Sequence, residues 1–309
     1  MLILRFFSEL LPSLLVGYLL GRFRTGFFSL IIPPLIDFGV PISLICLLLK
    51  NGLDWLLFQA LVMSFLVVGL IMALIRIFPK LRRNIGCRSL LLGSVFGNSG
   101  YFGIPLALAL LPTQSLSFSI GYDIGSTFLI WSLGPILLAN PQFESHGGFS
   151  WKNLFSALAS SPASKGLVGT VLICLTPWSD QIASALWIPS RIVIVLALMI
   201  VGMRLGSLCL EQNPVNRNFR LLIQPSLFIK LIILPATMLI LSNAFGLSIL
   251  MRNALVMQAA TPTAISVLLL AEASGQEQQV ASRLVSWSTL IAFITVPIWF
   301  LVIKHLLIA

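Results

Sequence analysis

Charge is what this chain has least of. Nine acidic residues, nineteen lysines or arginines and two histidines are spread over 309 positions, so Asp, Glu, Lys and Arg make up only 9%. A water-soluble domain carries about a quarter of its residues as charges, which excludes the soluble enzyme and soluble binding-module classes. Histidine is too scarce for a His-rich metal site, since only His146 and His305 occur. The four cysteines, Cys46, Cys87, Cys174 and Cys209, have no paired spacing and mostly lie in or beside apolar runs. They read as packing residues, not as disulfides or metal ligands. A basic leader followed by an A-x-A cleavage site is also missing. The opening "MLILRFFSELLPSLLVGYLLG" reads as a first span and not as a signal peptide.

What the chain does have is apolar sequence: 58% of residues are hydrophobic and the mean hydropathy is +1.03. Runs near the roughly 20 residues that cross a hydrocarbon core recur ten times, at about 2–21, 27–49, 53–78, 88–111, 117–140, 161–179, 187–206, 221–245, 249–271 and 280–307. The reading is an all-α membrane protein of ten transmembrane helices. The net charge of +10 sits in short loops between these runs, where it acts as a topology signal and not as a nucleic-acid surface.

The longest polar interval, Asn140 to Asn153, divides the spans five and five. The expected organisation is a first five-helix repeat at 1–140, a short cytoplasmic connecting loop at 141–160 and a second, inverted repeat at 161–309. Loop charge sets the orientation. Arg22, Arg24, Arg76, Lys80, Arg82, Arg83, Arg88, Lys152, Lys165, Arg204, Arg217, Arg220 and Arg283 fall on one side, and Arg5, Lys50, Arg191, Arg252 and Lys304 on the other. This asymmetry puts the odd loops in the cytoplasm and both termini outside. An odd number of spans per half then turns the second half upside down, an arrangement that recurs in secondary transporters.

One stretch of span 4, "GSVFGNSGYFGIPLALALLP", is apolar enough to cross a membrane yet carries four glycines, an asparagine and a central proline. Span 9, "LVMQAATPTAISVLLLAEASG", has Pro262 at its centre, 157 residues after Pro105. Each proline lacks an amide and clashes with the carbonyl four residues earlier, at Tyr101 and Gln258. Gly97, Gly100 and Gly103 are expected to loosen the backbone and admit close neighbours. A half-helix beginning at each proline would offer unpaired amides and a partial positive charge to an anion. The candidate substrate-binding set is Asn98, Ser99, Gly100, Tyr101, Gly103, Pro105, Gln258, Thr261, Pro262 and Thr263, with Lys230 of span 8. A plain proline kink is the alternative for one such site. Two at matching repeat positions, each beside small polar residues, favour a lined cavity.

"GNSGYFGIPLAL", "ATPTAISVLLLAE" and "STLIAFITVPIWFLVI", with "GVPISLICLL" in span 2 and "MIVGMRLG" in span 7, resemble the auxin efflux carrier family, which includes the PIN-type carriers and bacterial relatives. The resemblance implies broken helices 4 and 9 crossing near the midplane. It further implies a scaffold of helices 1, 2, 6 and 7, and a moving transport unit of 3–5 and 8–10. The long cytoplasmic loop of the plant carriers is absent.

Other patterns carry no chemistry. Gly17/Gly21, Gly93/Gly97, Gly121/Gly125 and Gly202/Gly206 are GxxxG pairs that mark close helix contacts. "GNSGYFG" has neither the spacing nor the strand context of a nucleotide loop. The basic run "RIFPKLRRNIGCR" reads as a topology determinant at anionic head groups. Asp37, Asp123 and Lys230 are the ionisable residues placed inside spans, and Glu272 reads as a solvated helix end. The depth of Lys230 depends on whether span 8 starts near Arg217 or near Gln224. A deep Lys230 would need a carboxylate partner, Asp37 or Asp123 if folding brings one near, or else would attract the carboxylate of the substrate itself.

The expected function is a secondary transporter of small organic anions, such as auxin-like or dicarboxylic acids, across the cytoplasmic membrane. The partners are the anion and membrane lipid. A proton or sodium is the candidate coupling ion and a homodimer the candidate assembly; no cofactor, metal or nucleic acid is expected. No acid, base, nucleophile or metal set gathers as an enzyme requires. The alternatives are a bile-acid symporter-like sodium carrier and a non-transporting receptor or scaffold.

Overall fold

The computed structural model describes residues 2–23, 34–52, 55–138, 162–208, 217–275 and 277–305. The connecting loop at 141–160, with His146 and Lys152, as well as Arg24 and Cys209, lies outside the described residues. Among the described residues every regular element is a helix. Long apolar side chains favour helix, and in lipid a helix is the structure that satisfies its own backbone.

In chain order the elements are α1 (Leu2–Phe23), a π-turn (Leu35–Gly39) leading into α2 (Val40–Asn51), α3 (Trp55–Ile77) and α4 (Pro79–Ile85). Next come α5 (Arg88–Val95), a second π-turn (Ser99–Gly103) leading into α6 (Ile104–Leu110), and α7 (Leu116–Leu138). The second half holds α8 (Pro162–Cys174), α9 (Ser179–Ala185), α10 (Trp187–Leu208) and α11 (Arg217–Phe228). A third π-turn (Ile229–Ile233) leads into α12 (Leu234–Ala244), followed by α13 (Ile249–Ala259), α14 (Ile265–Ser274) and α15 (Gln278–His305).

Helices fall within each of the ten apolar stretches read from the sequence. Among the described residues three, at Trp55–Ile77, Leu222–Ala244 and Gln278–Lys304, are long and apolar enough to cross a membrane. Two stretches differ from expectation in detail. The one at 161–179 stops at Cys174 and resumes as the short α9. The one at 221–245 begins earlier, at Arg217, which puts Lys230 deep in the helix.

Each π-turn ends two residues before a proline: Pro41, Pro105 and Pro235. A proline inside an α-helix removes one amide and collides with the carbonyl four residues back. Widening the preceding turn relieves that collision and lets the helix continue. At Pro235 the freed carbonyl belongs to Leu231, and the Trp299 indole Nε1–H of α15 donates to it at 2.9 Å.

Packing forms two groups of helices joined by a shared buried cluster, in which Leu44, Leu47 and Leu48 of α2 meet Leu57 of α3, Ile104 and Ala107 of α6 and Leu116, Ile120 and Ile124 of α7. The main core joins side chains of α3, α5, α6, α7 and α11 to α15. The other group comprises α1 against α10, and α2 against α8, α9 and α10. Between α1 and α10 the backbones touch through reciprocal glycines. A Cβ on Gly17 or Gly21 would strike Met199 or Met203 backbone, and one on Gly202 or Gly206 would strike Leu14 or Tyr18 backbone. Small residues at such a seam gain close van der Waals contact where lipid gives no hydrophobic drive.

Candidate functional site

The helix stretches at α5–α6 and α13–α14 are both cut, and the cuts meet. The first falls at Phe96, Gly97 and Asn98, where Phe96 turns extended (φ −93°, ψ 124°). Gly, Asn and Ser in a row are poor helix formers because their backbone or side chains favour other bonds. The second falls at Ala260 to Ala264, where Pro262 lacks an amide and biases Thr261 away from the helical region. The segments run antiparallel, with Gly97 facing Thr263. Asn98 N–H donates to the Pro262 carbonyl at 2.7 Å and Ala264 N–H to the Phe96 carbonyl at 3.0 Å. Each break thus satisfies backbone groups that the other has freed, as an apolar interior demands.

This geometry corrects the expectation that each half-helix begins at its proline. Pro262 does lie in its break. Pro105 lies well beyond Asn98, inside a helix that the π-turn has already made continuous. The two prolines therefore do different work: one ends a helix, the other widens a turn.

The glycines admit close neighbours, as expected, and the neighbours are side chains. None of Gly93, Gly97, Gly100 and Gly103 has positive φ, so left-handed backbone is not why they are there. Each admits a side chain instead. A Cβ on Gly93 would collide with Leu284, one on Gly97 with Thr261 Oγ1, and one on Gly103 with Gln258 Oε1. A Cβ on Gly97 would also lie 2.8 Å from Lys230 Nζ, and one on Gly100 3.2 Å from both carboxylate oxygens of Asp123.

Lys230 is fully buried and donates from Nζ to the carbonyl of Ala259, the last residue of α13, at 2.7 Å. The expected carboxylate partner is not there. Asp123 is buried but accepts the Ser99 hydroxyl at 2.6 Å. Asp37 sits in the first π-turn, exposed, in a 3.5 Å ion pair with Lys165 of α8.

Much of the predicted polar set stitches the breaks together. Thr261 Oγ1 donates to the Gln258 carbonyl at 2.7 Å, and Thr263 Oγ1 to the Gly93 carbonyl at 3.0 Å. Thr263 N–H donates to Ser288 Oγ on α15 at 3.0 Å. Gln258 differs: it is fully buried, and neither its amide oxygen nor its amide nitrogen has a hydrogen-bond partner among the described residues. Asn98 is buried, while Gly100 and Tyr101 are half-buried and form the accessible edge of the assembly. Tyr101 packs against both the main core and a small cluster around Leu35 and Met203.

The structure thus gathers Asn98, Ser99, Gly100, Gly103, Lys230, Gln258, Thr261, Pro262 and Thr263 around the paired breaks, with Tyr101 at the rim and Pro105 further along. Asp123, Ser288 and Gly93 belong to the same assembly and were absent from the predicted set. Asp123 and Gly93 were visible as an ionisable residue in a span and a glycine in an apolar run. Ser288 had only its polarity within "VSWSTLIAF" to mark it.

Two interrupted helices pair through their breaks around a buried lysine, in an apolar chain whose described elements are all helices, as befits an integral membrane protein. Residues 158–300 match the family model described as membrane transport protein, the model of the auxin efflux carriers and PIN-like transporters. The match includes Lys230 and the second break. It names a family of transporters and not of enzymes. No curated protein matches the chain significantly.

Proposed function

We propose that the protein is a secondary transporter of small organic anions, auxin-like or dicarboxylic acids, in the cytoplasmic membrane. Its ten helical stretches form two inverted five-helix repeats, 1–140 and 161–309, joined by a cytoplasmic loop at 141–160. The antiparallel pairing of the breaks supports the inversion. So does Glu277, just past α14, whose carboxylate accepts the Arg88 and Ser89 amides at 3.3 and 2.7 Å. That contact brings the end of the second broken helix to the beginning of the first, as two oppositely directed helices require.

The observation that carries the anion reading is the paired break itself, with a buried cation on one flank and the unpartnered Gln258 amide on the other. A helix has no intrahelical partners for its first amides. Those of the Ser99–Leu110 half therefore point positive charge toward the half-buried Gly100–Tyr101 edge. A substrate carboxylate would bind there, in the positive potential of Lys230, with the Gln258 amide as a further hydrogen-bonding group. The amides of Thr263 and Ala264 are already bonded within the protein, so the first break is the anion-facing one. Tyr101 lies at the seam between the two packing groups. Sliding of the group built on α3, α5–α7 and α11–α15 past α1, α2, α8 and α10 would carry the site between the two membrane faces.

The test is a thermal-shift series on purified protein with indole-3-acetate, malate and malonate, followed by flux in proteoliposomes. A bound anion raises the melting temperature because it favours the folded state. At least one carboxylate is expected to do so and to be carried. If no carboxylate shifts the melt and none is carried, the anion reading fails.

A further inference from the structure

We infer that the Lys230 ammonium is the resident cation of the paired breaks. It takes the place at the released Ala259 carbonyl that a coupling sodium ion would need, so the site works without sodium. The consequence for coupling rests on reading the breaks as the substrate site; the place of the cation does not.

A helix cut inside an apolar interior leaves its last carbonyls without amide partners and carries partial negative charge there. Such half-helix ends are where transporters of this general build hold small cations. Here α13 ends at Ala259, and the group meeting the Ala259 carbonyl is Lys230 Nζ at 2.7 Å. The lysine is completely buried and has no carboxylate partner among the described residues. A buried ammonium without an opposing charge is costly, and the negative end of α13 is what the fold sets against it.

The space beside the head group is taken from both sides. Gly97 of the first break approaches so closely that a Cβ would lie 2.8 Å from Nζ, and Thr261 of the second break closes on the same point. The lysine is also aimed by its own element. It lies in the π-turn that Pro235 imposes, and the Trp299 indole holds the neighbouring Leu231 carbonyl. Asp123, the other ionisable group at the breaks, accepts from Ser99 near the opposite end of Gly97–Gly100 and does not pair with Lys230.

The test uses melting curves of the full chain in detergent, without substrate, in chloride salts of sodium, potassium or N-methyl-D-glucamine at equal ionic strength. Wild-type protein should melt at the same temperature in all three. Lys230→Ala should melt lower and be restored in part, by roughly 2 °C or more, by sodium or by ethylammonium, which bind at the freed Ala259 carbonyl. Choline has no N–H to donate and should do nothing. Specific stabilisation of wild-type protein by sodium would overturn the inference, as would a Lys230→Ala variant that melts like wild type or ignores both small cations. Should Lys230→Ala fail to fold, Lys230→Met keeps the volume and is expected to melt lower and remain insensitive to sodium. Wild-type melting of that variant would sink the idea equally. No organic anion enters these melts and chloride is common to all of them, so failure of the organic-anion reading leaves their outcome unaffected.

Discussion

Gln258 places both ends of a carboxamide where no described protein group meets them. A buried polar atom left unpaired costs about 1–3 kcal/mol, so a residue kept only for stability would be apolar here. Gln258→Leu is therefore expected to raise the melting temperature of the ligand-free protein while abolishing both the carboxylate-induced shift and flux. A lower melting temperature would mean that the amide serves the fold and not a ligand. The glycines follow a related logic. Gly97, Gly100 and Gly103 are small because Lys230, Asp123 and Gln258 occupy the space a side chain would need. The side chain opposite each glycine explains it better than backbone freedom does.

At the scale of elements, the recurring device is a π-turn followed by a proline. Pro105 holds the Ser99–Gly103 turn open because residue 105 has no amide to give to Tyr101. Replacing it by alanine supplies that amide, and the turn can contract to α geometry. The residues before it would then rotate relative to α6, moving Ser99 from Asp123 and Gly100 from the accessible edge. Pro105→Ala is expected to fold, to melt at or above the wild-type temperature, and to lose flux. Wild-type flux from the folded variant would return Pro105 to the status of an ordinary kink. Pro262 is different in kind, because its carbonyl accepts from Asn98 and alanine can keep that bond.

For the whole molecule, the two packing groups and the basic loops make separate statements. The main core unites α3, α5–α7 and α11–α15, while α1, α2, α8 and α10 pack on one another and meet the first group through Leu14 of α1 and the leucines of α2. The exposed Lys80, Arg82 and Arg83 of α4 belong to the basic side of the chain, which the positive-inside rule predicts to face the cytoplasm. A reporter active only in the cytoplasm should therefore be silent when fused at the C-terminus and active when inserted near Arg82. The reverse pattern would overturn the orientation and the count of spans with it.

The sequence by itself determined the solvent and the element type, because both follow from composition and local covalent chemistry. Too little charge for a water-facing surface and repeated apolar runs require helices in lipid. Asn, Gly and Pro within such runs require those helices to be interrupted. Its motifs also pointed to the transporter family that the second half of the chain matches. What it could not decide was everything that depends on residues far apart meeting in space. Pro105 and Pro262 look alike in sequence, yet only one lies in a break, because a π-turn absorbs the other. Lys230 was legible as an ionisable residue, but its partner is a backbone carbonyl, and every residue type has one. Ser288, Trp299 and Glu277 became bonding partners of Thr263, Leu231 and the start of α5 only through tertiary packing. Local propensity can say where a helix must stop; which freed groups then satisfy one another is settled by the three-dimensional meeting of the two breaks.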